Sequence, residues 1–239
     1  NNNLPLTIDE LRSIEPEKIL TTANEIFKLG YWSVLDNHSI KRPIKEYFAE
    51  GDFHNVDLII GSNADEELMY IDNESFKELM EEREEWGIYN KVIDFEDLSN
   101  HIENDLERIN FVLSSINYVC PSFFIADKVS SIKTNNVWFY SFDKVRSGKK
   151  AQEMGAYHGA ELPYIFDTHD SWLPTSDSDR YLTEMIQNSW LNFMKTGNPN
   201  FNKTVWPKHE PSKFNVLSFD KEVKSKIHDS KDVCLLLNI

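Results

Sequence analysis

The chain has 239 residues, 40% of them hydrophobic, with six Trp, nine Tyr and fifteen Phe, so it can bury the core of one domain or of two small ones. Its net charge of −15 repels phosphates, which argues against a nucleic-acid partner and against an anionic membrane surface. No membrane span is expected, because the longest uncharged stretch, Ile109 to Ala126, is interrupted by Asn110, Ser114, Ser115, Asn117 and Pro121, and Asn1 to Pro5 has neither the basic start nor the apolar core of a signal peptide.

Residues 7 to 28 predict two short helices, the first opened by a capping box at Thr7 to Glu10 and the second restarted by Pro16. Tyr31 to Asn37 reads as extended, and Pro43 to Glu50 as a helical turn ended by Gly51. Val56 to Gly61 is the clearest buried strand, a short apolar and β-branched run suited to the centre of a parallel sheet. Ser62 to Glu67 then reads as an acidic loop at its C-terminal end, where doubly wound sheets keep their chemistry.

From Asn73 to Ile132 the pattern is helical. A charged surface helix covers Glu74 to Glu85, Phe95 to Tyr118 carries apolar residues at helical spacing, and Pro121 starts another helix. Phe123 and Phe124 suit either core packing or the lining of a substrate pocket. Asn136 to Phe142 alternates and is aromatic, so it reads as a strand, and Lys144 to Lys150 follows as a basic, solvated turn. Ser176 to Asp179 caps the longest amphipathic helix, whose buried face of Leu182, Met185, Ile186, Ser189, Trp190, Phe193 and Met194 holds no ionisable group; Gly197 and Pro199 end it. A last short strand covers Asn215 to Phe219, and Val233 to Leu237 is an apolar tail.

His158 is the leading candidate for chemistry. Small residues, Ala156 and Gly159, leave its imidazole approachable, and Pro163 stiffens the turn that follows. A neutral imidazole takes and returns a proton near neutral pH, although a plain loop histidine fits the same spacing. The His158-x-x-Glu161 spacing suits a metal, but Pro163 opposes a regular helix there and His38, His54, His101, His169, His209 and His228 form no ligand pattern, so no metal site is expected. No phosphate-binding or dinucleotide fingerprint occurs, and no cofactor is expected. Sequence alone does not pair the two cysteines, Cys120 and Cys234. Sequons stand at Asn37, Asn73 and Asn202 and are compatible with secretion in a eukaryote.

The run from His158 to Phe166 resembles the catalytic-histidine segment of the type-B carboxylesterase and cholinesterase family. Leu11 to Leu20 resembles a short helix of that family, Phe53 to Glu66 its acid-bearing strand and turn, and Trp190 to Pro199 with Trp206-Pro207 its C-terminal helix and exit. These segments occur in the family's order and cover most of the chain. The resemblance implies an α/β fold: the C-terminal half of an α/β hydrolase, with a partial, mostly parallel sheet flanked by helices and a helical insert between acid and base. It implies that Glu66 is the triad acid orienting His158, that Glu161 supports the His158 turn, and that Cys120 and Cys234 are bridged. One departure stands out: the family has Gly after the acid and this chain has Glu67, which could take over the acid's role.

The nucleophile elbow Gly-x-Ser-x-Gly is absent; Gly155 and Gly159 have that spacing, but Tyr157 stands between them. No Gly-Gly-Gly oxyanion run occurs either. The resemblance therefore implies that residues 1–239 are the C-terminal part of a single carboxylesterase-type domain, partnered by an N-terminal half that brings the serine. The function implied is hydrolysis of a small-molecule carboxylic ester; a non-catalytic binding or adhesion domain of the same family is the alternative. Such a half sheet is expected to be unstable by itself. A Cys120–Cys234 bridge would favour a secreted protein, and its absence a cytoplasmic one.

Overall fold

β1 (Leu58–Asn63) forms where a β-branched, apolar run needs partners on both edges, and it lies parallel to β2 (Val137–Phe142) from Leu58↔Val137 to Asn63↔Phe142. The computed structural model describes residues 7–26, 33–71, 76–78, 92–169, 171–202 and 205–238. β2 is parallel to β3 (Asn215–Phe219), and β3 is antiparallel to β4 (Lys224–Ile227), giving the order β1-β2-β3-β4. β4 was not expected: its Lys-Ser-Lys-Ile sequence is polar because it is a mostly exposed edge strand. β1 runs two residues further than the apolar pattern, so Ser62 and Asn63 belong to the strand and not to the loop.

By internal contacts the chain divides into residues 1–47 and 48–239. In the first, α1 (Ile8–Arg12) starts at the predicted capping box, with Thr7 accepting from the Glu10 N–H, and α2 (Pro16–Ile26) starts at Pro16. Tyr31 and Trp32 lie outside the described residues, and residues 33–39 form an irregular segment and bend around Asp36 instead of a strand. α3 (Ile44–Glu50), which spans the division at residue 47, ends at Gly51, as predicted.

In the second, strand alternation sorts the sheet into two cores. Val137, Phe139 and Val216 face one of them, and Trp138, Phe142, Leu217 and Phe219 the other. The first core is covered by α4 (Val92–Ser99), α5 (Asp105–Ser114), a π-helical turn (Ser115–Val119), α6 (Cys120–Ser130) and α10 (Lys231–Leu236). Most of the charged helix expected at Glu74 to Glu85 lies outside the described residues. The helix expected over Phe95 to Tyr118 breaks after Ser99 and restarts at Asn104, whose side chain accepts from the Glu107 N–H at 3.0 Å.

Pro121 does lie in the first turn of α6, yet it marks no break, because α5, the π turn and α6 run on continuously from Asp105 to Ser130. A regular helix would press the Pro121 ring on the Asn117 carbonyl; the wider π turn directly before it relieves that contact. By length and composition this helix is sufficient to cross a membrane, yet Ile109, Val112, Leu113, Phe123 and Ala126 are buried in the core. A disulfide joins Cys120 to Cys234 with Cα atoms 5.2 Å apart, and Ser115 Oγ donates to Ser230 Oγ at 2.7 Å beside it. The apolar tail is thus α10, pinned onto the first core.

The second core is covered by α8 (Leu162–Phe166) and α9 (Asp177–Thr196). α9 opens with a capping box at Ser176 and ends at Gly197 in the left-handed region. Its buried side does hold an ionisable group, because Asp179 accepts from Tyr164 Oη at 2.8 Å and pairs with Lys144 Nζ at 3.3 Å. Met194, expected inside, is exposed. The basic run is not simply a solvated turn either: Lys144 and Arg146 are buried, and residues 149–154 form the short α7 (Lys149–Met154). Basic residues in a row look solvated in sequence; here a buried carboxylate draws one of them inward.

Among the described residues, no strand pairs with the outer edge of β1, and its first four residues are only half-buried.

Candidate active site

The end of β1 and the turn after α7 are tied together by main chain. The Ala64 N–H donates to the Phe142 carbonyl at 3.0 Å, which carries the loop out along β2. Asp65 then forms a parallel bridge with Tyr157, its N–H donating to the Ala156 carbonyl at 3.1 Å. Glu66 and His158 are each the next residue along, so their side chains meet.

His158 Nδ1 lies 2.6 Å from Glu66 Oε2, and the second carboxylate oxygen of Glu66 accepts from the Asn63 N–H at 2.7 Å. An ionised carboxylate only accepts, so Nδ1 carries the proton and Nε2 keeps a free lone pair. The Glu66 side chain is 7% exposed and that of His158 48%, so the carboxylate is enclosed while the imidazole stays accessible. Burial pushes the Glu66 carboxyl up; hydrogen bonds from Asn63 and His158 offset only part of that.

Glu161 lies in the turn leading into α8, where its Oε2 accepts from Asn63 Nδ2 at 2.5 Å. The same amide donates to the Tyr157 carbonyl at 2.8 Å, so Asn63 holds both sides of the His158 turn. Glu67 does not face the imidazole. Its N–H donates to Ser114 Oγ at 3.2 Å and its carboxylate accepts from Asn117 Nδ2 at 2.7 Å, so it points at the helix.

Two rings unmarked by sequence flank the imidazole, Tyr118 at 5.3 Å and Tyr70 at 6.2 Å between centroids. Tyr118 sits on the π turn, and burial together with Glu67 and Glu66 pushes its phenol up, so it is a neutral wall. Its signal in the sequence was only an aromatic residue at an interrupted helical spacing. Phe123 is core, stacked on Phe139 at 4.0 Å between centroids, and Lys128 Nζ lies 5.5 Å from the centroid of the half-buried Phe124. Among the described residues, no three His, Cys, Asp or Glu side chains are grouped to hold a metal.

A buried carboxylate hydrogen-bonded to a half-exposed imidazole has the geometry that a Ser-His-acid hydrolase requires of its acid and base. The carboxylesterase family profile matches residues 6–235, and the chain belongs to that family. It is 25% identical over 232 residues to the para-nitrobenzyl esterase of Bacillus subtilis (strain 168), covering 90% of this chain and 46% of that protein. It is 25% identical over 215 residues to the crystal protein of Dictyostelium discoideum, covering 80% and 39%, and 22% identical over 214 residues to acetylcholinesterase 1 of Caenorhabditis briggsae, covering 74% and 34%. Among solved structures, a PNB esterase superposes with a TM-score of 0.78 at 23% identity, over 95% of this chain and 50% of that one. A thermophilic PNB esterase gives 0.79 at 23% identity, over 96% and 50%. The fold is therefore that of an α/β hydrolase, and the chain spans about half the length of the relatives it matches.

Proposed function

We propose that this chain supplies the acid and the base of a serine carboxylic-ester hydrolase, with the serine and the oxyanion donors on an N-terminal half of the same domain. The observation that carries the reading is the Glu66–His158 hydrogen bond. The outer edge of β1, unpaired among the described residues, supports the second half of it, since a parallel strand there would complete the sheet beside the site.

In this reading His158 Nε2 takes the proton of the serine Oγ as that oxygen attacks the ester carbonyl. Glu66 keeps Nδ1 protonated and stabilises the imidazolium. The imidazolium then gives its proton to the departing alkoxide, leaving an acyl-serine and an alcohol. In the second half His158 takes a proton from water, the resulting hydroxide attacks the acyl carbonyl, and the proton returns to the serine as the acid leaves. Asn63 and Glu161 hold the turn that aims the imidazole. The disulfide suits an oxidising compartment and so supports a secreted enzyme.

The test is hydrolysis of p-nitrophenyl acetate and butyrate by the chain alone and by the chain joined to its upstream half. Activity is expected only in the joined form, with H158A and E66Q each lowering kcat by ~10³-fold or more. Full activity of residues 1–239 alone would place the machinery elsewhere. Inactivity of a folded joined form would return the chain to a binding role.

A further inference from the structure

The Asp65 carboxylate hydrogen-bonds to Ala156 and Asn110 and not to the imidazole, yet it touches both arms of the site. Its Oδ2 accepts from the Ala156 N–H at 2.7 Å, two residues before His158, and its Oδ1 accepts from Asn110 Nδ2 at 2.8 Å. Asn110 Oδ1 in turn accepts from Ser114 Oγ at 3.0 Å, and that hydroxyl accepts from the Glu67 N–H at 3.2 Å. The circuit leaves the acid loop at residue 65 and re-enters it at residue 67, enclosing Glu66. Asn110 and Ser114 are buried on α5, so the circuit is anchored to a core helix. At Gly155, with φ of +65°, a Cβ would overlap the Asp65 carboxylate, so the chain before His158 passes directly against it.

We infer that Asp65 is a positioning residue, which sets the Glu66–His158 separation by clamping the base loop to the acid loop through the Asn110–Ser114 circuit. This rests on the ester-hydrolase reading above. The clamp works only with an acceptor on both oxygens, since Ala156 N–H and Asn110 Nδ2 both donate. In D65N one of the two donors meets an N–H₂ group, and that arm opens. Adding N110D reverses the second contact: the new amide donates to the new carboxylate, which still accepts from Ser114, while Ala156 keeps its acceptor.

The experiment is steady-state ester hydrolysis by the joined enzyme carrying D65N, N110D or both, beside wild type and H158A. D65N is expected to lower kcat by ~10- to 100-fold, with KM within about threefold, and the D65N/N110D swap to return kcat to within about threefold of wild type. A kcat for D65N within about twofold of wild type overturns the inference, as does a loss that the swap leaves in place. If D65N fails to fold by circular dichroism, the swap decides alone: wild-type-like kcat supports the clamp and an inactive or unfolded swap overturns it. An active wild type whose activity survives H158A would instead overturn the part of the ester-hydrolase reading that makes His158 the base.

Discussion

Glu66 and His158 are 92 positions apart and meet at 2.6 Å because each directly follows a residue of the Asp65↔Tyr157 bridge. The order of an acid at a strand end followed by a histidine is legible in the sequence. The choice between Glu66 and Glu67 is not, because both are acidic and adjacent; it depends on which side of the loop faces α5. A second buried carboxylate shows how local partners set stability. Burial pushes Asp143 up, but the hydroxyls of Ser141 and Ser218, each at 2.5 Å, and Lys226 at 3.0 Å outweigh it and hold the carboxyl below its ordinary range. A depressed folded-state pKa stabilises the protein above the ordinary carboxylate value, and that stabilisation is lost as pH falls through the folded one. D143N in the joined enzyme is expected to cost about 2 kcal/mol at pH 7, with the difference from wild type shrinking below about pH 4. Urea unfolding of both proteins at pH 7 and pH 3 checks this; an equal difference at both would show that Asp143 acts through packing and not through charge.

At the scale of elements, the strands were the most legible part. Val56 to Gly61, Asn136 to Phe142 and Asn215 to Phe219 mark β1, β2 and β3 to within about two residues, because apolar runs flanked by polar breaks have few other uses. The unbroken helix from Asp105 to Ser130 was hidden by Pro121, whose fit depends on a π turn that no periodicity reports. The Ser115–Ser230 hydrogen bond ties the start of that turn to the start of α10, and the disulfide just after the turn ties α6 to α10. Replacing both cysteines with serine removes a cross-link between positions 114 apart, and is expected to lower stability by about 3 kcal/mol. Guanidinium midpoints with and without dithiothreitol test it: the reductant should destabilise wild type and leave the double variant unchanged. No effect of the reductant on wild type would show that the bridge contributes nothing to stability.

For the whole molecule, the two cores on either face of the sheet hold fully buried aromatic and aliphatic side chains, yet β1 has an unpaired outer edge among the described residues. An open parallel edge with half-buried Ile59 and Ile60 is a site for association. Residues 1–239 made alone are expected to self-associate and to bind an apolar dye, and the joined form to do neither. Size-exclusion chromatography of the two side by side decides the matter, and a dispersed monomer with a cooperative transition from the single chain would show that the edge needs no partner.

The sequence by itself determined β1, β2 and β3, the capped helices, the family and the order in which an acid and a histidine follow a strand. These follow from each residue's own preference for burial, turn or cap, and from motifs short enough to be contiguous. Only the tertiary structure decided that Glu66 and not Glu67 faces the imidazole, that Lys144 and Arg146 are buried, that Tyr118 walls the site and that Asp65 joins its two loops. Those facts depend on sheet register and on contacts between residues as far as 92 positions apart, where a hydrogen bond of 2.6 Å is set by the packing of whole elements and by no local preference.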